Sequence, residues 1–485
     1  MKNLFKIIHK IWFSDTLMTL FSFIVRTGNF IFLLPLILKL DQSEQSVYWQ
    51  FQFIYGFIYI LVAELGLNFI RSLAFVQGGA KKEDLFDLRK KTGINSMSEI
   101  HELSLKVIGT IHKVGIFSSI AIFIALSILG SLALIQPISL ISDQSSIWIA
   151  WFYFVLVTSL VTFGENYAHY IQSLGYVATY RRWEGFVNII AILAGIIALM
   201  KGYGLIGLIF FQQTIFALGL IGRRYLALKL LRKQKLEIKC SLFDYNIFLI
   251  IWSKTWRTTF GVIMHSGIFR LTPVFFAQFI TSSSLMASFG LTFKLMTTLV
   301  DLSKAPFYSK LPKLAKSFNS DFDKAFHLIR KRFFLSLLLF SITVIFVGLF
   351  GSKILILLES KTKLCSDLFW ACLGVGFFVE RYSAMHLNIY TLSNHIVWHK
   401  MYFVSGLLYI IFMSLFINIF SENYKLFAFP LSLLFSELFF SSWYSSKYSI
   451  KLLKTSFFDF EIKSSFMPLI IILCYLIYVI YRLVF

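Results

Sequence analysis

The chain has 485 residues, of which 58% are hydrophobic, 18% aromatic and 14% charged, with a formal net charge of +22. A soluble protein of this length cannot bury so large an apolar fraction, so the composition excludes a soluble globular domain and predicts a polytopic membrane protein. The basic excess does not indicate nucleic-acid binding, because the cations fall in alternate loops between apolar segments.

Apolar runs long enough to cross a bilayer as helices recur along the whole chain with short gaps. The predicted spans are residues 15–39, 47–76, 104–135, 146–172, 177–200, 203–228, 247–280, 284–308, 330–357, 366–392, 398–420, 424–446 and, as an extra C-terminal segment, 464–484. This pattern predicts an all-α protein with about twelve membrane helices in two sets of six, plus one.

A short internal repeat supports the division into two sets. Residues 14–30 return as residues 253–269 with Ser, Thr, Thr, Phe, Ile, Gly and Phe matching in register. Repeated helix bundles are common in transporters, which place the substrate site where the repeats meet. The predicted organisation is an interfacial helix at 1–14, lobes at 15–230 and 247–450 joined by a basic linker at 231–246, and a final basic loop with the extra segment at 451–485.

The loop charges predict the topology. Lys and Arg precede the first span and follow the second, fourth, sixth, eighth and twelfth, whereas loops 136–147 and 279–284 contain neither. The exception is 352–365, which holds three lysines. Because cytoplasmic loops are enriched in cations, the N-terminus is expected in the cytoplasm and anionic lipids are expected to contact the basic loops.

Several classes of site are missing from the sequence. It has no GK[ST] phosphate loop, no HExxH motif and no zinc spacing among its four cysteines, so no cofactor or metal is expected. The predicted outer loops are short, which argues against a membrane polymerase or glycosyltransferase. Asp41 and Glu44, in one of these loops, are expected to be a solvated turn.

Cations at membrane depth are the main candidates for a substrate site. A charge in the hydrocarbon region is costly and normally faces a wet cavity or a partner. Both repeats carry one, since the position of Arg26 is occupied by His265 in the second copy. The proposed cationic cavity consists of Arg26, Arg71, Arg257, His265, Arg270 and Lys294. Such a cavity favours a phosphate or pyrophosphate, to which guanidinium makes paired hydrogen bonds.

Carboxylates in the predicted spans leave two interpretations open. The candidates for binding a coupling proton or sodium ion are Glu64, Asp301, Glu165 and Glu380. Alternatively they have structural partners nearby in the sequence, which are Arg71 for Glu64, Lys304 or Lys294 for Asp301, His169 for Glu165 and Arg381 for Glu380. Pro35 and Pro273, late in the two repeat-leading helices, are candidate kinks or hinges.

Two segments carry a family resemblance. The first reads Arg26, then Pro35-Leu36-Ile37-Leu38, Tyr48-Trp49-Gln50 and Ala63-Glu64-Leu65-Gly66-Leu67-Asn68-Phe69-Ile70-Arg71 before a basic loop; the second reads Phe307-Tyr308-Ser309-Lys310-Leu311-Pro312-Lys313-Leu314. Together they resemble the bacterial polysaccharide flippases of the multidrug/oligosaccharidyl-lipid/polysaccharide exporter superfamily. The acidic position of helix two is Glu64 here, where the family more often has Asp.

The resemblance implies a fold, a substrate and a location. These are two six-helix lobes around a central cavity, and alternating-access flipping of undecaprenyl-pyrophosphate-linked O-antigen or capsule units from the cytoplasmic to the periplasmic leaflet of the inner membrane. It also implies other polysaccharide assembly proteins as partners. The family motifs assign functional positions to Glu64, Arg71 and Arg26. Arg270 and Lys294 come from the cavity argument alone. The alternatives are a multidrug exporter of the same superfamily, for which an acidic cleft is expected, and a membrane polymerase or glycosyltransferase.

Overall fold

A computed structural model describes residues 12, 14–78, 96–238, 242–280, 282–308, 314, 322–392 and 398–485. Over these ranges the chain is helical and contains no strand, which confirms the predicted fold class. Most of the predicted interfacial helix at 1–14 and the basic loop after the second span lie outside the described residues. So do the side chains of Glu64 and Arg71.

In the part of the chain that the structure describes, six helices precede the basic linker. They are α1 Asp15–Ile37, α2 Gln42–Gln77, α3 Met97–Ser139, α4 Gln144–Ser173, α5 Val177–Met200 and α6 Gly204–Lys233. Nine further helices follow among the residues that the structure describes after the linker. They are α7 Tyr245–Val262, α8 Ile268–Phe276, α9 Ser283–Tyr308, α10 Phe322–Leu357, α11 Asp367–Thr391, α12 Trp398–Ile419, α13 Tyr424–Leu453, α14 Phe457–Ser464 and α15 Phe466–Val484. Every predicted span corresponds to one of these helices or, for 247–280, to α7 and α8 together.

Within the described ranges, eleven helices are long and apolar enough to cross a membrane, or twelve if α7 and α8 form one span bent by 40°. The predicted span at 366–392 is not among them. Its helix, α11, has the necessary 25 residues, but it carries Asp367, Glu380 and Arg381 and is therefore less apolar. α11 can carry these charged residues because it packs against α9, α10, α13 and α15 and is largely covered by protein rather than by lipid.

The chain divides into two compact units. The N-terminal lobe comprises residues 1–259 and 277–281, and the C-terminal lobe comprises 260–276 and 282–485. The passage from one to the other falls inside α7, after Thr259. The limits expected from the sequence, 15–230 and 247–450, follow the apolar runs and remain a prediction.

The core of the N-terminal lobe is built around α4. This helix packs against α2, α3, α5 and α6, while α1 packs along α5. Trp151 and Phe154 of α4 are buried against Phe51 of α2, and the Tyr170 hydroxyl donates to the carbonyl oxygen of Ile108 in α3 at 3.3 Å. In a membrane, lipid covers the apolar faces that the lobe leaves exposed.

The extra C-terminal helix is part of the C-terminal lobe. α15 packs against α10 and α11. Ser341 Oγ of α10 donates to the Pro468 carbonyl at 3.0 Å, and a Cβ at Gly348 would overlap the Tyr475 side chain, so the two helices approach closely. One face of α15 therefore packs against the bundle, and its other faces are exposed.

Candidate functional site

Arg26 of α1 is held by an aromatic side chain of α2. Its guanidinium donates to the Tyr59 hydroxyl and its Cζ lies 4.9 Å from the centroid of that ring. One turn earlier, Ser22 Oγ donates to the Glu184 carboxylate of α5. These contacts fix the turn of α1 that carries Arg26 against both neighbouring helices.

Two ion pairs lie beside this turn, inside the N-terminal lobe. Arg181 Nη1 is 2.8 Å from Glu184 Oε2, and Arg223 of α6 pairs with Glu165 of α4. The Tyr180 hydroxyl connects them, at 3.4 Å from Glu184 Oε1 and 3.5 Å from Glu165 Oε2. Because the positive charge of Arg223 neutralises the negative charge of Glu165, the geometry favours a structural role for that carboxylate over ion coupling.

Arg181 and Arg223 belong to the basic residues that the charge pattern assigns to the cytoplasmic side, although the predicted spans 177–200 and 203–228 already include them. Arg181 lies within α5 and Arg223 within α6, ten residues before that helix ends. Both side chains pack inward, where each pairs with a carboxylate of the same lobe. Side-chain exposure falls to 26% for Arg181 and 11% for Arg223.

The C-terminal lobe brings three cations together around one carboxylate. Asp301 of α9 lies within electrostatic range of Arg270 in α8 and of Lys294 and Lys304 in its own helix, and Lys294 lies within range of Arg270. Lys304 Nζ is 2.6 Å from Asp301 Oδ1. We call these four residues the cationic cluster. It joins two of the predicted cavity cations, Arg270 and Lys294, and also gives Asp301 the lysine partner that its spacing suggested.

His265 lies elsewhere, in the interior of the same lobe. It is 3% exposed, its Nε2 is 3.1 Å from Glu437 Oε1, and its ring lies against Tyr402 with centroids 4.3 Å apart. Ser405 Oγ donates to the same carboxylate oxygen at 3.0 Å. The repeat alignment with Arg26 therefore selected His265, which lies in the turn between α7 and α8. In the structure this residue contacts a buried carboxylate and does not line an open cavity.

The remaining predicted residues are dispersed. Arg257 is exposed on α7 with its guanidinium 5.8 Å from the Trp256 ring, and Glu380 is half-buried on α11. Arg381, which follows Glu380, was not among the predicted site residues although its side chain is almost wholly buried. No sequence signal identified Glu184 or Glu437 as partners in a buried pair, since the groups that they contact include residues far away along the chain.

No protein-family model and no curated protein sequence matches the chain. Several solved structures, however, are similar to the chain. A multidrug resistance MATE family transporter of the MOP superfamily, in an inward-facing conformation, superposes with a TM-score of 0.64 at 11% identity, covering 92% of this chain and 99% of that one. The lipid II flippase MurJ, in an inward closed conformation, gives a TM-score of 0.62 at 14% identity, covering 97% and 93%. A mutant of the Vibrio cholerae MATE transporter VcmN gives 0.57 at 10% identity, covering 92% and 98%. At these identities the comparison establishes the fold, which this chain shares along almost its whole length.

Proposed function

We propose that the protein is a transporter that flips undecaprenyl-pyrophosphate-linked oligosaccharide units from the cytoplasmic to the periplasmic leaflet of the bacterial inner membrane. The observation that carries this proposal is the cationic cluster of the C-terminal lobe. The three cations of the cluster exceed its one carboxylate, and this excess of positive charge on helices of a membrane bundle attracts an anion. A pyrophosphate supplies that anion.

Arg26 gives the N-terminal lobe a second group of the same chemistry. Its contact with Tyr59 orients the guanidinium. A guanidinium can donate two parallel hydrogen bonds to the oxygens of one phosphate group. In the proposed mechanism the pyrophosphate and first sugars leave the aqueous phase for these cations while the prenyl tail stays in lipid. The lobes then alternate access to the two sides.

The bend between α7 and α8 supports this mechanism. The π-helical turn Ile263–Gly267 interrupts the helix, and Pro273 lies in α8, where it removes a backbone donor. Pro35 occupies a corresponding late position in α1. Local breaks of this kind let one part of a helix move without unfolding the rest.

A multidrug exporter is the second candidate, because MATE transporters share the fold. The cationic cluster disfavours it, since three cations repel a cationic drug. A polymerase or glycosyltransferase is the third candidate, and the three structural neighbours named above are described as transporters or a flippase. We further propose a cytoplasmic N-terminus, contact of the basic loops with anionic lipids, and other polysaccharide assembly proteins as partners.

The test is transbilayer movement of an undecaprenyl-pyrophosphate-linked oligosaccharide in proteoliposomes. The native protein is compared with Arg270→Ala and Lys294→Ala, with Lys353→Ala as a control because Lys353 is exposed at the end of α10. Movement by the native protein and the control, with loss in the two cluster variants, is the expected result. Repeating the assay with a proton or sodium gradient tests coupling. Equal movement in all variants would remove the cationic cluster from the site, and no movement by folded native protein would overturn the flippase proposal.

A further inference from the structure

Arg381 is a buried cation inside the C-terminal lobe. The residue is 1% exposed, and its Nε and Nη2 atoms have no hydrogen-bond partner. No carboxylate among the described residues forms an ion pair with it; the contact recorded for its guanidinium is with the Tyr308 ring, whose centroid is 5.8 Å from Cζ. Arg381, Glu380 and Glu437 all lie within electrostatic range of Tyr402, but neither carboxylate is within ion-pair distance of the guanidinium. A buried cation whose donors are not bonded is costly, because the protein interior does not replace its hydration.

The two unpartnered atoms define what the site can bind. Nε and Nη2 form one edge of the guanidinium, and that edge can donate two parallel hydrogen bonds to one phosphate or carboxylate group. A single chloride ion uses such an edge less completely than a group with two oxygen acceptors. Polar groups lie beside it, since Asn388 Nδ2 donates to the Tyr308 hydroxyl at 2.8 Å. Asn388 follows Arg381 by one heptad and therefore occupies the same face of α11.

One helix connects this site with the cationic cluster. Asp301 and Tyr308 follow Lys294 by one and two heptads, so the three residues lie along one face of α9. At about 1.5 Å per residue, Tyr308 is about 21 Å from Lys294 along the helix axis. Such a distance is most of the thickness of a bilayer core of roughly 30 Å.

We propose that Arg381, with Tyr308 and Asn388, is a second anion station, which holds the phosphate groups of the transported headgroup after or before the cationic cluster holds them. The inference rests on the proposed function, because it takes the substrate to be a phosphate-bearing lipid. Arg381 is buried in this conformation. An anion therefore reaches it only when α9 and α11 separate near Tyr308 and Arg381. The two stations then mark the path of the headgroup along α9.

Binding of inorganic pyrophosphate to the purified full-length protein, measured by isothermal titration calorimetry in detergent, tests the inference. Arg381→Gln keeps the polarity and removes the charge, Arg381→Lys keeps the charge and removes the two-donor edge, and Lys353→Gln is the exposed control. We expect one class of site to weaken at least tenfold in Arg381→Gln and less in Arg381→Lys, with no change in the control. We also expect Arg381→Gln to unfold at or above the native midpoint, because it removes a buried charge whose Nε and Nη2 atoms have no hydrogen-bond partner.

The double variant Arg270→Gln/Lys294→Gln separates this inference from the proposed function. If the double variant loses pyrophosphate binding and Arg381→Gln keeps native affinity, the second station is wrong and the proposed function stands. If the native protein does not bind pyrophosphate, the proposed function itself loses its support. An Arg381→Gln variant that fails to fold would show that the guanidinium is structural, and would also overturn the inference.

Discussion

The Nε2 atom of His265 lies 3.1 Å from Oε1 of Glu437, and each residue lies in a π-helical turn that interrupts a membrane helix. Both side chains are buried, and Glu437 is wholly inaccessible. With the Ser405 hydroxyl on the same oxygen, the pair connects the break between α7 and α8 to α12 and α13. The polar contact thus lies where two helices are locally irregular, and it fixes both irregularities at once.

Removing the carboxylate should destabilise the C-terminal lobe. In Glu437→Leu the His265 imidazole and the Ser405 hydroxyl lose their acceptor inside the protein, and breaking a buried pair in this way costs about 3–5 kcal/mol. Glu437→Gln keeps an acceptor oxygen and should cost less. Thermal unfolding in detergent measures the difference, with Glu422→Gln as an exposed control. Equal unfolding midpoints for Glu437→Leu and the native protein would show that the pair contributes nothing to stability.

Gly406 of α12 should not tolerate a side chain. A Cβ at this position would overlap the carbonyl of Met264, which belongs to the π-helical turn Ile263–Gly267, and backbone cannot move aside as a side chain can. Overpacking of this kind costs about 1–3 kcal/mol, so Gly406→Ala should lower the unfolding midpoint. Gly351→Ala is the matched control, because its Cβ would meet only side-chain atoms of Leu364 and Val347. If both alanine variants unfold alike, the close approach at Gly406 is not limiting.

The ion pair of Glu165 with Arg223 should be recoverable by exchanging the two charges. Either single reversal, Glu165→Arg or Arg223→Glu, places like charges together in a partly buried site and should destabilise the N-terminal lobe by roughly 3 kcal/mol or more. The double reversal restores opposite charges and should regain part of that loss. A double-mutant cycle on unfolding midpoints isolates the coupling. If no coupling is found and Glu165→Gln instead abolishes gradient-dependent transport, Glu165 is a coupling site rather than a structural partner.

The helices could be predicted from the sequence because the length of an apolar run alone indicates a membrane span. Side-chain partners could not, since they depend on which helices meet. Glu165 and Arg223 are 58 positions apart, and His265 and Glu437 are 172 positions apart. Local spacing suggested His169 as the partner of Glu165, whereas it correctly indicated Lys304 for Asp301. The π-helical turns have no composition signal, so the irregular turns between α7 and α8 and within α13 are found only in the structure.

Cys365 should be chemically inert in the folded protein. It lies between α10 and α11, where burial raises the pKa of the thiol to about 11. Because the thiolate is the reactive form, about one molecule in a thousand is reactive at pH 8. Iodoacetamide should therefore modify Cys365 slowly until the protein is unfolded, as mass spectrometry can follow. Lys361→Cys, exposed in the same loop, should react quickly, and a membrane-impermeant reagent at that position reports which side of the membrane the loop faces. Rapid modification of native Cys365 would contradict the raised pKa of its thiol.

Reversing the charge of Arg26 should abolish transport without preventing membrane insertion. The guanidinium contacts Tyr59 and Phe23, and Ser22 anchors the same turn to Glu184, so Arg26→Glu leaves that anchor in place while it turns a phosphate-binding group into one that repels phosphate. In a bacterial strain that lacks its own copy of the protein, we expect surface polysaccharide to be lost and the amount of protein in the membrane to be unchanged. Tyr59→Phe separates orientation from charge, since it removes the hydroxyl acceptor and keeps the cation; we expect a partial loss, because the guanidinium still lies over the ring. Normal polysaccharide with Arg26→Glu would remove Arg26 from the site and leave the cationic cluster as the anion-binding group of the proposed mechanism.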